Sequence, residues 1–375
     1  MQYIYVSGCG NVRNEFTVKL YQAAGTSTAK LLYSVVEGLK QKDFGIKTMT
    51  KCGFNIRVAK EKFCVDSEPY IDSGGYSILT GDVTFDKIPN AIDSYAYYLA
   101  NEFDTYKRIF SLDIPFFGLD SDYNTYQNVE NANRASLEKS RNVIAENDCI
   151  ADKFMFVWQF KLGAQYDIFS NLYEDLELSR WVGGHAIGGL VGLRGMTKIQ
   201  FSAFVGMAFR CLADYMAAQR FDISFRLHLL GIYLRQDRFI IAILEALFRK
   251  HLENAIDVEL TYDSVNYEHS SRMNKELPIF NYSDKELLVF DNVQFVPEDL
   301  IAKTYMDEEL CKFILEEIEL RKNGQRLKNA SSFGPINIKS NIDLDKLLMD
   351  IVEQYEICLL YTSPSPRDRT RSSMP

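Results

Sequence analysis

Asp72 follows an apolar lead-in and opens the run Asp72-Ser73-Gly74-Gly75-Tyr76. An acid, a hydroxyl and two glycines stand where a buried strand would continue with Val, Ile or Phe. A glycine pair there lets the backbone approach a ligand closely and adopt φ values that a Cβ forbids. The same composition also makes an ordinary turn, so its meaning depends on what recurs downstream. A second acid, Asp263, lies near the end of the segment 257–264, far along the chain. Two carboxylates brought to one mouth can divide a substitution at a sugar carbon: one attacks the anomeric carbon and the other moves the leaving group's proton. The residue types thus point to retaining glycosyl transfer, provided the fold brings them together.

The elements that must position them alternate. The first 67 residues suggest strands at 3–7 and 54–59 and a helix over 28–40. Beyond the Asp-Ser-Gly-Gly run comes a helix near 91–103. The apolar run 109–115 follows, ended by Pro115, which leaves Asp113 near the carboxyl end of a strand. A polar helix near 131–146 leads to the strand 154–159, which ends in Gln159. A helix near 164–178 leads to 181–190, which carries Gly188, Gly189 and Leu190. A helix near 198–219, a strand 225–231 containing His228, a helix near 237–252 and the strand 257–264 complete the series.

Such alternation predicts an α/β fold with a parallel sheet closed into a (β/α)8 TIM barrel. The active site of such a barrel lies at the carboxyl ends of its strands, where Asp72, Asp113, Gln159, Gly188-Gly189, His228 and Asp263 would converge. A doubly wound sheet also accepts the alternation but would spread these ends along a row. Amphipathic patterns at 297–322 and 342–355 read as a helical C-terminal appendage. The expected division is a barrel over 1–290, the appendage over 291–358 and a tail over 359–375. That tail has the look of joined cloning sequence, with the native C-terminus missing.

The totals narrow the class. At 47% hydrophobic and 25% charged residues, the 375-residue chain reads as globular rather than disordered. No apolar run reaches membrane-spanning length and the N-terminus lacks a signal pattern, so a cytoplasmic protein without membrane contact is expected. Seven scattered cysteines and four histidines form no zinc-ligand spacing, and no metal is expected. A net charge of −9 argues against general nucleic-acid affinity but leaves room for a local basic face. Arg194, Arg235, Arg238, Arg272 and Lys275 are the candidates for meeting phosphates.

Five stretches in order resemble the tRNA-guanine transglycosylase superfamily and its DNA-modifying relatives. Ile71-Asp72-Ser73-Gly74-Gly75-Tyr76 is similar to its Asp-Ser-Gly-Gly-Phe/Tyr loop, and His185-Ala186-Ile187-Gly188-Gly189-Leu190-Val191-Gly192, with some slippage, to its Gly-Gly-Leu-x-Val-Gly loop. Leu112-Asp113-Ile114-Pro115, Leu227-His228-Leu229-Leu230-Gly231 and Tyr262-Asp263-Ser264-Val265-Asn266-Tyr267 resemble the archaeosine-type branch. The likeness spans about residues 65–275. It implies Asp263 as the nucleophile on C1′ of a guanosine and Asp72 as general acid/base. It implies a base pocket from Asp113, Gln159, Ser73, Gly74 and the backbone of Gly188, Gly189 and Leu190, with Tyr76 stacking on the ring. Asp120 is the fallback for base recognition, and His228 is either a pocket residue or a histidine satisfied inside the barrel. Base exchange between bonds of similar energy needs no cofactor.

One departure shapes the expected substrate. Members acting on tRNA carry a Cys-x-Cys-x-x-Cys plus His zinc site after the nucleophile strand, whereas 264–355 holds only Cys311 and His269. The zinc subdomain is expected to be absent, which leans the resemblance toward the phage-type enzymes. The expected function is therefore a DNA guanine transglycosylase inserting a 7-deazaguanine base such as preQ0, in the host cytoplasm if phage-encoded, with helper proteins or a homodimer as possible partners. A zinc-less enzyme acting on tRNA, a retaining glycoside hydrolase and a non-catalytic nucleic-acid-binding subunit stand as alternatives.

Overall fold

The structure, a computed structural model, describes residues 2–6, 30–34, 69–75, 88–115, 125–160, 163–190, 196–232, 235–253, 255–264, 277–281, 284–290, 296–304, 308–325 and 333–354. Eight parallel strands close into a barrel in chain order: β1 (Gln2–Val6), β2 (Lys30–Ser34), β3 (Pro69–Asp72), β4 (Arg108–Phe110), β5 (Phe154–Trp158), β6 (Gly184–Ile187), β7 (Phe225–Leu229) and β8 (Val258–Ser264). Closure is made by β8 pairing with β1, Asp263 opposite Ile4. Helices follow the strands: α1 (Ile88–Glu102), α2 (Tyr126–Ala145), α3 (Gly163–Asp175), α4 (Lys198–Ala217) and α5 (Arg235–His251). The expected TIM-barrel-like α/β architecture is therefore present.

The strand pleat sorts the side chains. Along β5, Phe154, Phe156 and Trp158 join the large core between sheet and helices, while Met155 and Val157 join a smaller cluster in the lumen with Leu32, Tyr70, Phe110 and Ala186. On β8, Val258, Leu260 and Tyr262 face outward. Glu259, Thr261 and Asp263 alternate with them and meet partners across the lumen. The same period puts Arg226 and His228 of β7 inside.

The lowest lumen layer is ionic. Tyr70 Oη donates to Glu259 Oε1 at 2.6 Å, and Arg108 Nη2 donates to Glu259 Oε2 at 2.6 Å. Arg226 Nε lies 3.7 Å from the same carboxylate, while its Nη1 donates to Asp152 Oδ1 at 2.7 Å. The amino-terminal end is thus filled by paired charges, and the opposite end is left for chemistry.

Four expectations are corrected or refined. The helix expected over 28–40 is replaced at Lys30–Ser34 by β2, because Leu31, Leu32 and Tyr33 meet Pro69, Tyr70 and Ile71 of β3 in parallel register; a short apolar run does not distinguish the two structures by period. The single helix over 297–322 is two, α6 (Glu298–Thr304) and α7 (Glu308–Lys322). Ahead of them lies an antiparallel hairpin of β9 (Leu277–Asn281) and β10 (Glu286–Phe290). Ile279, Val296, Ile301, Ile314 and Ile318 form its own small core with those helices. The last helix, α8 (Phe333–Gln354), starts earlier than its pattern and packs on α5, β1 and β9, so part of the expected appendage completes the ring around the barrel. The strand expected at 54–59 and the tail 359–375 lie outside the described residues.

A buried polar knot fixes α8. Arg238 and Asp345 are 0% and 4% exposed. Tyr262 Oη donates to both Asp345 oxygens at 2.8 and 2.7 Å, Arg238 Nη1 lies 3.5 Å from Asp345 Oδ1, and Arg238 also donates to Asn341. Burial raises the Asp345 carboxyl to about 6 despite Arg238 and Tyr262 opposing it. Removing one charge strands the other in a low-dielectric layer. Arg238→Ala is expected to cost about 3–5 kcal/mol in urea unfolding. The double change Arg238→Met with Asp345→Asn is expected to cost clearly less than the single one.

Candidate active site

Asp72 is the last residue of β3, and Ser73 and Gly74 turn the chain away from the sheet. Asp113 sits three residues beyond β4, held on both sides by α2. Asn133 accepts from Ile114 N at 2.9 Å and donates to Ile114 O at 2.8 Å, and Ser136 Oγ donates to Leu112 O at 3.3 Å. A helix whose capping residue Thr125 accepts from Asn128 N thus turns two buried polar residues into a clamp. Sequence reasoning passed over Asn133 and Ser136. Their signal was polar residues three apart on the otherwise apolar face of a helix.

Asp113 is 2% exposed and satisfied inside the protein. Ser73 Oγ donates to Oδ1, and Gln159 Nε2 donates to Oδ2 at 2.6 Å. Burial raises the Asp113 carboxyl, opposed by these two donors. Ser73 Oγ also lies 3.4 Å from Asp72 Oδ1 and accepts from Gly75 N at 3.2 Å, so one hydroxyl links both acids. Two glycines make room for this assembly. A Cβ at Gly75 would stand 2.6 Å from Asp113 Oδ2, and one at Gly188 would stand 2.4 Å from Gln159 Nε2.

The Asp72 carboxyl is raised to about 8, by burial first and then by the charges of Asp113 and Asp263. The backbone N–H of Gly74 and the Ser73 hydroxyl oppose the shift. At neutral pH Asp72 is therefore a protonated acid. Asp263, three strands away round the barrel, is close enough for its charge to contribute to that rise.

Asp263 is 6% exposed. Its Oδ1 accepts from Gly231 N at 2.9 Å and faces His228 Nε2 at 3.2 Å. His228, fully buried, contacts Thr261 Oγ1 through Nδ1 at 2.8 Å and packs on Phe110 at 4.6 Å between ring centres. Of the two readings of His228, the structure places it inside the barrel and also one hydrogen bond from the nucleophile candidate. Thr261 was not singled out from the sequence, since a threonine within a strand gives no distinguishing signal, and Gly231 was quoted within a motif without a role.

The described strand ends thus bring together Asp72, Ser73, Asp113, Gln159, Gly188, His228 and Asp263. Gly74 and Gly189 take φ of 77° and 75° at the turns beside them, and Leu190 is buried. Tyr76, Asp120, Arg194, Arg272 and Lys275 lie outside the described residues, as does the Arg235 side chain. Arg238 is no phosphate ligand at the mouth, because it is buried against α8. His185, quoted in the Gly-Gly stretch, points outward. Its Nδ1 accepts from Trp158 Nε1 at 3.3 Å, and burial with Arg210 nearby lowers it to about 3. Among the described residues, no group of three or more His, Cys, Asp or Glu is placed to hold a metal. No helix there is long and apolar enough to cross a membrane.

No protein-family model matches the chain. No curated protein matches it. Among solved structures it is similar to a GH10 endoxylanase retrieved from a sugarcane soil metagenome, with a TM-score of 0.40 and 9% identity over 70% of this chain and 84% of that one. It is also similar to the native xylanase 10B of Thermotoga maritima, with a TM-score of 0.40 and 12% identity over 70% of this chain and 82% of that one. The expectation of a DNA guanine transglycosylase is corrected by this comparison, whose solved structures are glycoside hydrolases. What the structure itself gives is the placement of the carboxyl groups of Asp72, Asp113 and Asp263 at one end of the barrel.

Proposed function

We propose that the protein is an enzyme that cleaves a glycosidic bond with retention of configuration, a glycosidase with water as the acceptor. The observation that carries this reading is a protonated Asp72 sharing one field with Asp263, whose carboxylate is held by two donors. An acid raised by burial beside a carboxylate that accepts two hydrogen bonds assigns the roles of acid and nucleophile. Asp263 attacks the anomeric carbon, and the bond to the leaving group breaks with its electron pair leaving on that group. Asp72 gives its proton to the departing atom. Water then attacks the same carbon, Asp72 takes back a proton, and the electrons of the ester bond return to Asp263. Three acids with no Lys or Arg among their described partners favour the positive charge that develops on the sugar ring.

A second reading is supported by the third carboxylate. Asp113, with Ser73 and Gln159, offers acceptors and an amide on one wall beside two glycines, which suits the edge of a planar base rich in N–H groups. This arrangement, with the five ordered motifs, supports a relationship to the tRNA-guanine transglycosylase superfamily and a zinc-less exchange on tRNA. Incubation with a panel of aryl glycosides and, separately, with unmodified tRNA plus radiolabelled guanine distinguishes the two. Release of an aglycone with retained anomeric configuration, lost in Asp263→Asn, supports the glycosidase. Label entering tRNA supports the second reading, and neither result would sink both.

Two consequences follow from the geometry. Because Asp72 acts as an acid, turnover is expected to fall as pH rises through about 8, and Asp72→Asn to lower kcat by about 10²–10⁴-fold. A carboxyl whose folded pKa is raised gives stability that is present below its unfolded value and is lost as pH rises through about 8. Above that pH, Asp72→Asn is therefore expected to unfold at higher temperature than the wild type. The gain should be about 1–2 kcal/mol, less than the full shift because the residue is partly exposed. On the recognition wall, Gly188→Ala is expected to displace Gln159 from Asp113. KM should rise about tenfold or more with a smaller change in kcat, as read from initial rates.

A further inference from the structure

His228 lies one layer below the acids and touches the reaction only through Asp263. The geometry points to His228 as a positioning residue that selects which oxygen of Asp263 attacks and helps that carboxylate leave again, an inference that rests on the double displacement proposed above. A carboxylate only accepts hydrogen bonds, so the 3.2 Å contact requires a proton on His228 Nε2. Nδ1 then accepts from the Thr261 hydroxyl at 2.8 Å. The ring cannot swing away, since it is 0% exposed and packs against Phe110 and Tyr70. Both donors to Asp263, His228 Nε2 and Gly231 N, reach Oδ1. Oδ2 accepts no hydrogen bond from the described residues, which makes it the attacking atom.

The consequence is asymmetric between the two half-reactions. Once Oδ2 is bonded to the anomeric carbon, Oδ1 becomes the ester carbonyl oxygen and keeps both donors. In the second displacement the C–Oδ2 bond breaks and its electron pair returns to the carboxylate. Donors already aimed at Oδ1 stabilise the negative charge that reappears there. In the first displacement the same donors hold the anion back slightly. Loss of His228 should therefore slow breakdown of the covalent intermediate more than its formation. Besides Asp263, the acids Asp72 and Asp113 share the field at this end of the lumen, while Tyr70, Phe110 and Thr261 face the ring itself.

Two measurements test this. In the free protein, long-range ¹H–¹⁵N correlation of the histidines should show a protonated Nε2 for His228, assigned by its loss in His228→Phe and displaced in Asp263→Asn. An unprotonated Nε2 would overturn the inference whatever the enzyme's substrate. For the kinetics, 2,4-dinitrophenyl 2-deoxy-2-fluoro-xyloside and the matching glucoside serve as probes, and intact-protein mass spectrometry follows the adduct. His228→Phe keeps the ring packing and removes the donor. Its adduct should persist about tenfold longer or more, with formation changed less than about threefold. His228→Gln, which restores an N–H, should move the lifetime back toward the wild type, and Thr261→Val should lengthen it more weakly. Equal lifetimes in wild type and His228→Phe would refute the proposal. No adduct with the wild type would count against the functional reading alone, leaving the tautomer measurement to decide the role of His228.

Discussion

Burial of three carboxyl groups at one end of the lumen is the constraint on which the upper half of this barrel depends. Asp72, Asp113 and Asp263 meet in a site where burial has removed most of the water and where their described partners include no Lys or Arg. Such a group of acids cannot all be ionised at modest cost. Asp72 takes the proton, Asp113 is satisfied by Ser73 and Gln159, and Asp263 is held by His228 and Gly231. Each acid thus has a different solution to the same electrostatic problem. Those differences leave the three groups in distinct electrostatic surroundings.

The lumen resolves the same problem in the opposite way at its other end. There Glu259 is met by Arg108, Arg226 and Tyr70. Paired charges are inert fillers, while unpaired acids keep the capacity to exchange protons. Between the two lies a layer of Phe110, Val157, Ala186 and His228, mostly apolar. It keeps the arginines below from neutralising the acids above. The stability of the floor and the reactivity of the mouth are therefore parts of one charge arrangement, separated by a hydrophobic layer about one side chain thick.

Positioning of these side chains relies on residues packed behind them. Asn133 and Ser136 fix the backbone on either side of Asp113, and the absence of a Cβ at Gly75 and Gly188 lets that carboxylate and Gln159 come together. On the outer face of β8, Tyr262 ties the strand that carries Asp263 to α8 through Asp345. Adjacent residues of one strand thus serve different ends, one anchoring the ring of helices and the next reaching into the lumen.

The sequence by itself determined the alternation of strands and helices from residue 69 to 264 and with it the set of strand ends, while closure of the sheet into a barrel rather than a doubly wound row came from the pairing of β8 with β1. The alternation rests on local composition: apolar strands of three to seven residues, longer amphipathic helices and polar breaks between them. It also marked Asp72, Asp113, Gln159 and Asp263, because an acid or amide at the end of an apolar run stands out in one dimension. It did not determine β2, the hairpin of β9 and β10, the break between α6 and α7, or the docking of α8, each of which is stabilised by partners distant in the chain. Only the tertiary structure decided that the Asp72 carboxyl is raised and that His228 lies one hydrogen bond from Asp263. Both outcomes are sums of burial and charge over residues on several strands, and no stretch of sequence contains that sum. The same limit applies to activity: motif order suggested exchange of a base in DNA, whereas the assembled site shows three carboxyl groups in distinct surroundings at one end of the barrel.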